Sequence, residues 1–491
     1  MKKVISSLLM LSMAFLGSVA KADNVTVDQA KAIGAYYMSY QMGGGADKIT
    51  SEQLSLAYQF ENPDMNVASA YLFNVNGGGW IIIAGSSVMD PVIAYSTECS
   101  LDMSDIPDNM RWWLTGYTNV IADIQLMDAE RDYPDSEEYT TLASKSLKNG
   151  TKNQSIKLMS SEWNQGDDYN PTYNLYCPMV NGRYSVTGCV ATALAQMCKY
   201  YEYPVQPKGI VSYDWQNTDE GTTQTLRIKL DTVQFDYSLM PNRLLSTSSA
   251  EKIHQVAMLN YCLGVALHMD YHPDGSAANM IQANTIMKTK FKYQQGSNRH
   301  RNGVNDTSFL NTIRRYLMNG DVIVMSGSSS TGSGADAAGH AWVVDGYQTE
   351  NEKMYHMNWG WGGSGNAFFN LADNNMRISS MGYNFNVDQA CLFGVIPPED
   401  SNIRHNHVAI RNVEDNTFLG TAYPNPAALS VALPYTTEIA ADMQIYGIDG
   451  KLIATRRVLP GTGEVTLCVD ALPKGVYVYR LNSQSGKFIV R

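Results

Sequence analysis

Basic charge is what this sequence has least of. Its 36 lysines and arginines face 47 aspartates and glutamates, a formal net charge of −11. That balance excludes a nucleic-acid partner, which needs a basic footprint to neutralise phosphates. Apolar runs long enough to cross a bilayer are missing beyond the N-terminus, so no membrane span is expected in the mature form. Cysteines are few as well. The seven, at 99, 177, 189, 198, 262, 391 and 468, are scattered without metal-ligand spacing, so no metal and no cofactor is expected. Their odd number, in an exported chain, implies at least one free thiol. No internal repeat is evident. What remains is a globular composition, 44% hydrophobic and 17% charged, in 491 residues, which is too long for one ordinary core.

The N-terminus names a compartment. Lys2 and Lys3 precede an apolar run from Val4 to Val19, and Ala20-Lys21-Ala22 offers small residues where signal peptidase cuts. Residues 1–22 are thus read as a signal peptide, and the product is placed outside the cell or on its surface. Residues 23–155 read as a small α+β domain with a linker. Thr26 and Gln29 form a capping box at the start of a helix. Ala70–Val75 and Trp80–Ala84 flank Asn76-Gly77-Gly78-Gly79 as a hairpin, Val92–Tyr95 is a further strand, and a helix with Trp112 and Trp113 runs to about Met127. The polar stretch Asp128–Gln154 reads as an exposed linker, with a maturation cut expected within Lys152–Met159. Residues 156–398 mix helix and strand signals and hold every chemically suggestive cluster. Residues 399–491 carry short strand-like runs between turns, a β-sandwich pattern.

Cys189 follows Gly188 and opens an apolar helix in which Val190, Ala193, Leu194 and Met197 share a face. A thiol at a helix N-terminus meets unpaired N–H groups and the positive end of the peptide dipole, which favours the thiolate. Cys198 lies half a turn out of phase and is assigned to packing. His340 stands at the mouth of a strand behind a Gly- and Ser-rich loop, about 150 residues after Cys189, a separation found in papain-type enzymes. Asn358, before Trp359-Gly360-Trp361-Gly362-Gly363, is the chosen orienter of the imidazole, with Asp345 and Asp336 as substitutes. The backbone N–H of Cys189 and the side-chain amide of Gln165 are the expected oxyanion donors.

Assembled, these motifs resemble the streptopain family of cysteine peptidases. The likeness runs through Trp163-Asn164-Gln165, Gly188-Cys189-Val190-Ala191-Thr192-Ala193, Met269-Asp270-Tyr271 with Gly275-Ser276-Ala277, Gly339-His340-Ala341 and Asn358 to Gly363. It implies an α+β, papain-like peptidase core, an inhibitory N-terminal pro-domain, and Cys189 and His340 as the catalytic pair. It also implies that Ser276 and Gly339 lie beside bound peptide; Trp359 and Trp361 join them as expected substrate contacts. The C-terminal module is similar to sorting domains of the type IX secretion route through Tyr423-Pro424-Asn425-Pro426, Gly450-Lys451 and Gly475-Val476-Tyr477, which implies a secretion machinery as partner. The expected function is a secreted cysteine endopeptidase made as a zymogen, acting on protein or peptide substrates, with its own pro-domain as inhibitor. A Cys-His amidase or acyltransferase of the same fold, and an inactive surface-binding homologue, are the alternatives.

Overall fold

The computed structural model describes residues 24–42, 49–131, 133–145, 155–245, 247–303, 306–328, 339–349, 351–373, 389–398, 418–437, 441–458, 461–481 and 484–491. The expected signal peptide therefore lies outside the described residues. The N-terminal unit begins with helix α1 (Val27–Gln41), whose Thr26–Gln29 capping box is present. Strands β1 (Leu54–Glu61), β2 (Ala68–Val75), β3 (Trp80–Ala84) and β4 (Val92–Ser96) follow as an antiparallel meander. Helices α2 (Asp108–Arg131) and α3 (Glu137–Ala143) complete it. Every residue of β3 is buried because both faces of the sheet are covered. Ile81 and Ile83 pack with Ile33 and Tyr37 of α1, while Trp80 and Ile82 pack with Trp113 and Tyr117 of α2.

The linker expected over Asp128–Gln154 is corrected over its first half. Helix α2 runs through Arg131, and α3 buries Leu142 against α1, Ser136 capping it from its N-terminus. The run is polar because these helices present their outer faces to water. The expected maturation region lies partly within the described residues. Residues 152–154 lie outside the described ones, and β5 (Ser155–Lys157) is a paired strand.

The peptidase block continues with the small hairpin β6 (Met179–Val180) and β7 (Arg183–Tyr184), helix α4 (Cys189–Tyr201), and the hairpin β8 (Ile210–Asn217) and β9 (Thr222–Lys229). Then come α5 (Ala250–Ala266), α6 (Met280–Thr289), β10 (Ser297–His300), α7 (Thr307–Met318), β11 (Ile323–Ser328), β12 (Gly339–Gln348), β13 (Met354–Asn358), β14 (Ala367–Asn370) and β15 (Ala390–Phe393). One face of this sheet buries Val324, Ala341, Val343 and Leu392 against α4 and α5; the other buries Ile323, Met325 and Val344 against α7. The strand order is β1-β2-β3-β4-β14-β13-β12-β11-β15-β10, with β5 beside β12. One eleven-stranded sheet thus crosses from the N-terminal unit into the peptidase through β4 and β14, where Tyr95 faces Phe368 and Ala94 faces Phe369.

The C-terminal unit pairs β16 (Phe418–Leu419), β17 (Ser430–Thr437) and β20 (Gly461–Cys468) in one sheet. Strands β18 (Ala441–Gly447), β19 (Leu452–Val458), β21 (Gly475–Leu481) and β22 (Gln484–Val490) form the other. Val431 and Leu433 from the first meet Met443, Ile445, Tyr479 and Phe488 from the second in a common core, the sandwich that the strand spacing predicts.

Candidate active site

Helix α4 starts at Cys189 because Gly188 takes φ +84°, a left-handed conformation that other residues adopt at a cost. Space imposes the same choice: a Cβ on Gly188 would lie 2.7 Å from the Met269 side chain and 3.1 Å from the Ser276 carbonyl oxygen. The glycine therefore serves the packing of the thiol's own helix. The helix is buried on every side from Val190 to Cys198, so it is a central element rather than the amphipathic one its pattern implies. Cys198 sits in the core as expected, its thiol pushed up to about 12 by burial.

Cys189 is partly exposed at the tip of this helix. Burial opposes its ionisation, but the charge of the His340 imidazole and its hydrogen bond outweigh that, with help from the Ala341 and Val190 N–H groups. The thiol is held below its ordinary pKa. The other four unbridged cysteines, Cys177, Cys198, Cys262 and Cys391, are all pushed upward by burial.

His340 is the second residue of β12, opposite Gly327 of β11. Its Nε2 lies 3.1 Å from the carbonyl oxygen of Trp359. A carbonyl only accepts, so Nε2 carries a hydrogen and Nδ1 is left for the sulfur. The indole of Trp361 lies nearly parallel to the imidazole at 6.1 Å, and that of Trp342 does so at 6.5 Å. Trp361 is exposed and Trp359 is buried, its Nε1 donating to Gly365 O at 3.1 Å. Gly339, exposed, faces Ser328 at the start of the strand.

The role given to Asn358 is corrected here. Its side chain is wholly buried and already engaged: Nδ2 donates to Ser161 O at 2.7 Å, and Oδ1 accepts from Gly360 N at 3.2 Å. It also exchanges two 3.2 Å hydrogen bonds with the Gln196 amide on α4. The ring of His340 is met by the backbone of the next residue, and Asn358 shapes the turn that presents that carbonyl. Asp345 is no substitute, since its carboxylate is buried against His356 Nδ1 at 2.5 Å; Asp336 lies outside the described residues.

Gln165 is buried, and its carbonyl accepts from Thr187 N–H at 3.0 Å, which holds its loop against the approach to Cys189. Ser276 is brought beside Gly188 through its backbone, while its hydroxyl donates to Val186 O at 2.6 Å and accepts from His272 N–H at 3.0 Å. Two residues escaped sequence reasoning: Trp342, two positions after His340, and Gln196, which also accepts from Trp163 N–H at 3.0 Å. Alternation along β12 puts Trp342 on the face of His340, a usable signal; Gln196 carried none.

The N-terminal unit reaches this loop. Asn109 Nδ2 of α2 donates to the same Trp359 carbonyl at 3.5 Å, and Ser364 Oγ donates to Asp105 O at 3.1 Å. Pro107 and Met110 pack so closely on Gly365 that a Cβ there would meet them at 3.3 and 2.4 Å.

Comparison with known proteins matches three separate stretches of the chain. Residues 163–369 match the Peptidase C10 family, residues 22–121 match the Spi protease inhibitor family, and residues 421–491 match the secretion system C-terminal sorting domain. Streptopain of Streptococcus pyogenes is 26% identical over 415 residues, covering 79% of this chain and 98% of its own. The thiol protease/hemagglutinin PrtT of Porphyromonas gingivalis is 25% identical over 361 residues, 71% of this chain and 40% of its own. A fragment of Prevotella intermedia prointerpain A superposes with a TM-score of 0.55 at 22% identity, covering 70% of this chain and 99% of that one, a likeness of fold. The chain is a cysteine peptidase similar to the streptopain family through residues 163–369, built as a zymogen with an inhibitor-like domain before that region and a sorting domain behind it.

Proposed function

We propose that this zymogen is an exported endopeptidase that cleaves protein substrates through Cys189. The observation that carries the reading is a partly exposed thiol at a helix N-terminus, hydrogen-bonded to an imidazole whose far nitrogen is held by a backbone carbonyl. The thiolate attacks the peptide carbonyl, and the C–N bond breaks as His340 passes its proton to the leaving amine. Water, deprotonated by His340, then hydrolyses the thioester. The Cys189 N–H and the Gln165 amide receive the oxyanion, a contribution on the order of 3 kcal/mol for each such donor. Trp361 and Gly339 border the cleft as exposed contacts for the peptide, with the Ser276 backbone beside Gly188.

Before maturation, the segment from Asp105 into α2 packs on Trp359, Ser364 and Gly365 and blocks substrate from that side of the site. The activating cut falls ahead of Ser155, since β5 is locked to β12. Residues 1–22 direct export and the C-terminal module is read by a secretion machinery.

The test uses matured protein with casein and with a primary amine as acyl acceptor. Casein fragments without amine incorporation are expected, together with stoichiometric labelling of Cys189 by a thiol-directed peptide inhibitor. The Cys189→Ala chain should cleave nothing and stay at zymogen length. Amine incorporation without cleavage would replace hydrolysis by acyl transfer, and an unlabelled Cys189 would refute catalysis altogether.

A further inference from the structure

Cys99 and Cys468 are 369 residues apart and disulfide-bonded, with Cα atoms 5.5 Å apart, within the ordinary span of such a bridge. Cys99 lies three residues beyond β4 of the inhibitor-like domain; Cys468 ends β20 of the sorting domain. The bridge therefore joins the two units that flank the peptidase in sequence. It is not an isolated contact. The neighbouring Glu98 carboxylate sits 3.5 Å from Lys157 Nζ of the peptidase, which also lies 3.6 Å from Glu162. The charge of the Arg456 guanidinium, on β19 of the sorting domain, also favours the Glu98 carboxylate. Three domains meet at one charged junction, and the covalent bond lies beside it.

This placement matters because of the order of the chain. A cut ahead of Ser155 separates inhibitor from peptidase in sequence. The inhibitor is still connected, through Cys99–Cys468 to the sorting domain and from there along residues 399–417 to the peptidase. Tethered in this way it rebinds intramolecularly, at an effective concentration on the order of millimolar, instead of diffusing away on dilution. Resting on the zymogen reading above, we propose that the Cys99–Cys468 bridge makes the first maturation cut insufficient: the inhibitory domain leaves only after a second cut frees the sorting domain, or after an external dithiol reduces the bridge. In the reductive route the dithiol closes to its own disulfide, and two electrons with two protons pass to the two sulfurs, leaving both as thiols. In the proteolytic route inhibitor and sorting domain depart as one linked pair.

The experiment compares full-length wild type, Cys99→Ser and Cys468→Ser, each with a site for a specific protease inserted between Gly150 and Thr151. After cutting, denaturing gels without reductant should show the wild-type inhibitor domain bound to the remainder, and free in both variants. Diluted about a hundredfold without a dithiol, wild type should show at most about a tenth of the hydrolysis of either variant. Adding a dithiol should remove that difference. Release of the wild-type inhibitor on the unreduced gel would overturn the proposal, and so would equal, readily measured hydrolysis by the three proteins. The gel does not depend on catalysis, so a linked pair with no hydrolysis in any of the three proteins would instead count against the peptidase reading.

Discussion

Asn358 illustrates how far a side chain's identity can be read without its surroundings. An amide near a catalytic histidine invites the role of orienter, and the sequence offered nothing to oppose it. In the folded chain each of its polar atoms already has a partner on Ser161, Gln196 or Gly360. The imidazole is oriented by the Trp359 carbonyl, which no side-chain substitution removes. Asn358→Ala should leave buried groups unpaired, at about 1–3 kcal/mol each, and lower the melting temperature by several degrees. Because the backbone still holds the ring, the acid limb of the pH–rate profile of the surviving enzyme should stay in place. Calorimetry and that profile check the two halves separately. An unmoved melting temperature with a shifted limb would return the orienting role to the amide.

At the scale of elements, the helix beginning at Cys189 and the strand beginning at Gly339 were legible because each rests on local signals: a glycine, an apolar period, a loop before a strand. Helix α3 was not. Its apolar content is little more than Leu142, and its stability comes from packing on α1, which only the tertiary fold supplies. That helix carries a consequence for pH. Glu138 faces Lys353, whose ammonium is bound by Asp90; Asp373 accepts from the Asp90 N–H and from Tyr117, and Tyr37 is near. Burial, then the charge of Asp90, raise the Glu138 carboxyl to about 7 despite Lys353. A raised carboxyl binds its proton more tightly in the folded state, so its contribution to stability is complete below the ordinary range near 4.3, falls as pH rises, and is gone above about 7. The melting temperature of the Cys189→Ala zymogen should therefore decline between about pH 4.5 and 7 more steeply than that of the same chain with Glu138→Gln. Parallel curves would show that Glu138 is not the group responsible.

The whole molecule is organised by a sheet that ignores the boundary between inhibitor and enzyme. Domain-sized blocks were visible in composition, but their fusion through β4 and β14 was not, since strand pairing between distant segments leaves no mark in local sequence. On the maturation proposed above, loss of the N-terminal unit would turn β14 into an edge. In the zymogen β14 is paired on both sides, by β13 and by β4, with Phe368 and Phe369 buried. Once the N-terminal unit departs, one row of N–H and C=O groups loses its partners, while the row facing β13 keeps them. Hydrogen exchange should record this asymmetry. Within Ala367–Asn370 the amides aimed at β4 should be protected in the zymogen and exchange at least about tenfold faster in the matured enzyme, while alternate amides change little. Uniform acceleration along the strand would mean that β14 unravels rather than becoming an edge. Unchanged protection throughout would mean that the inhibitor-like domain stays in place after maturation.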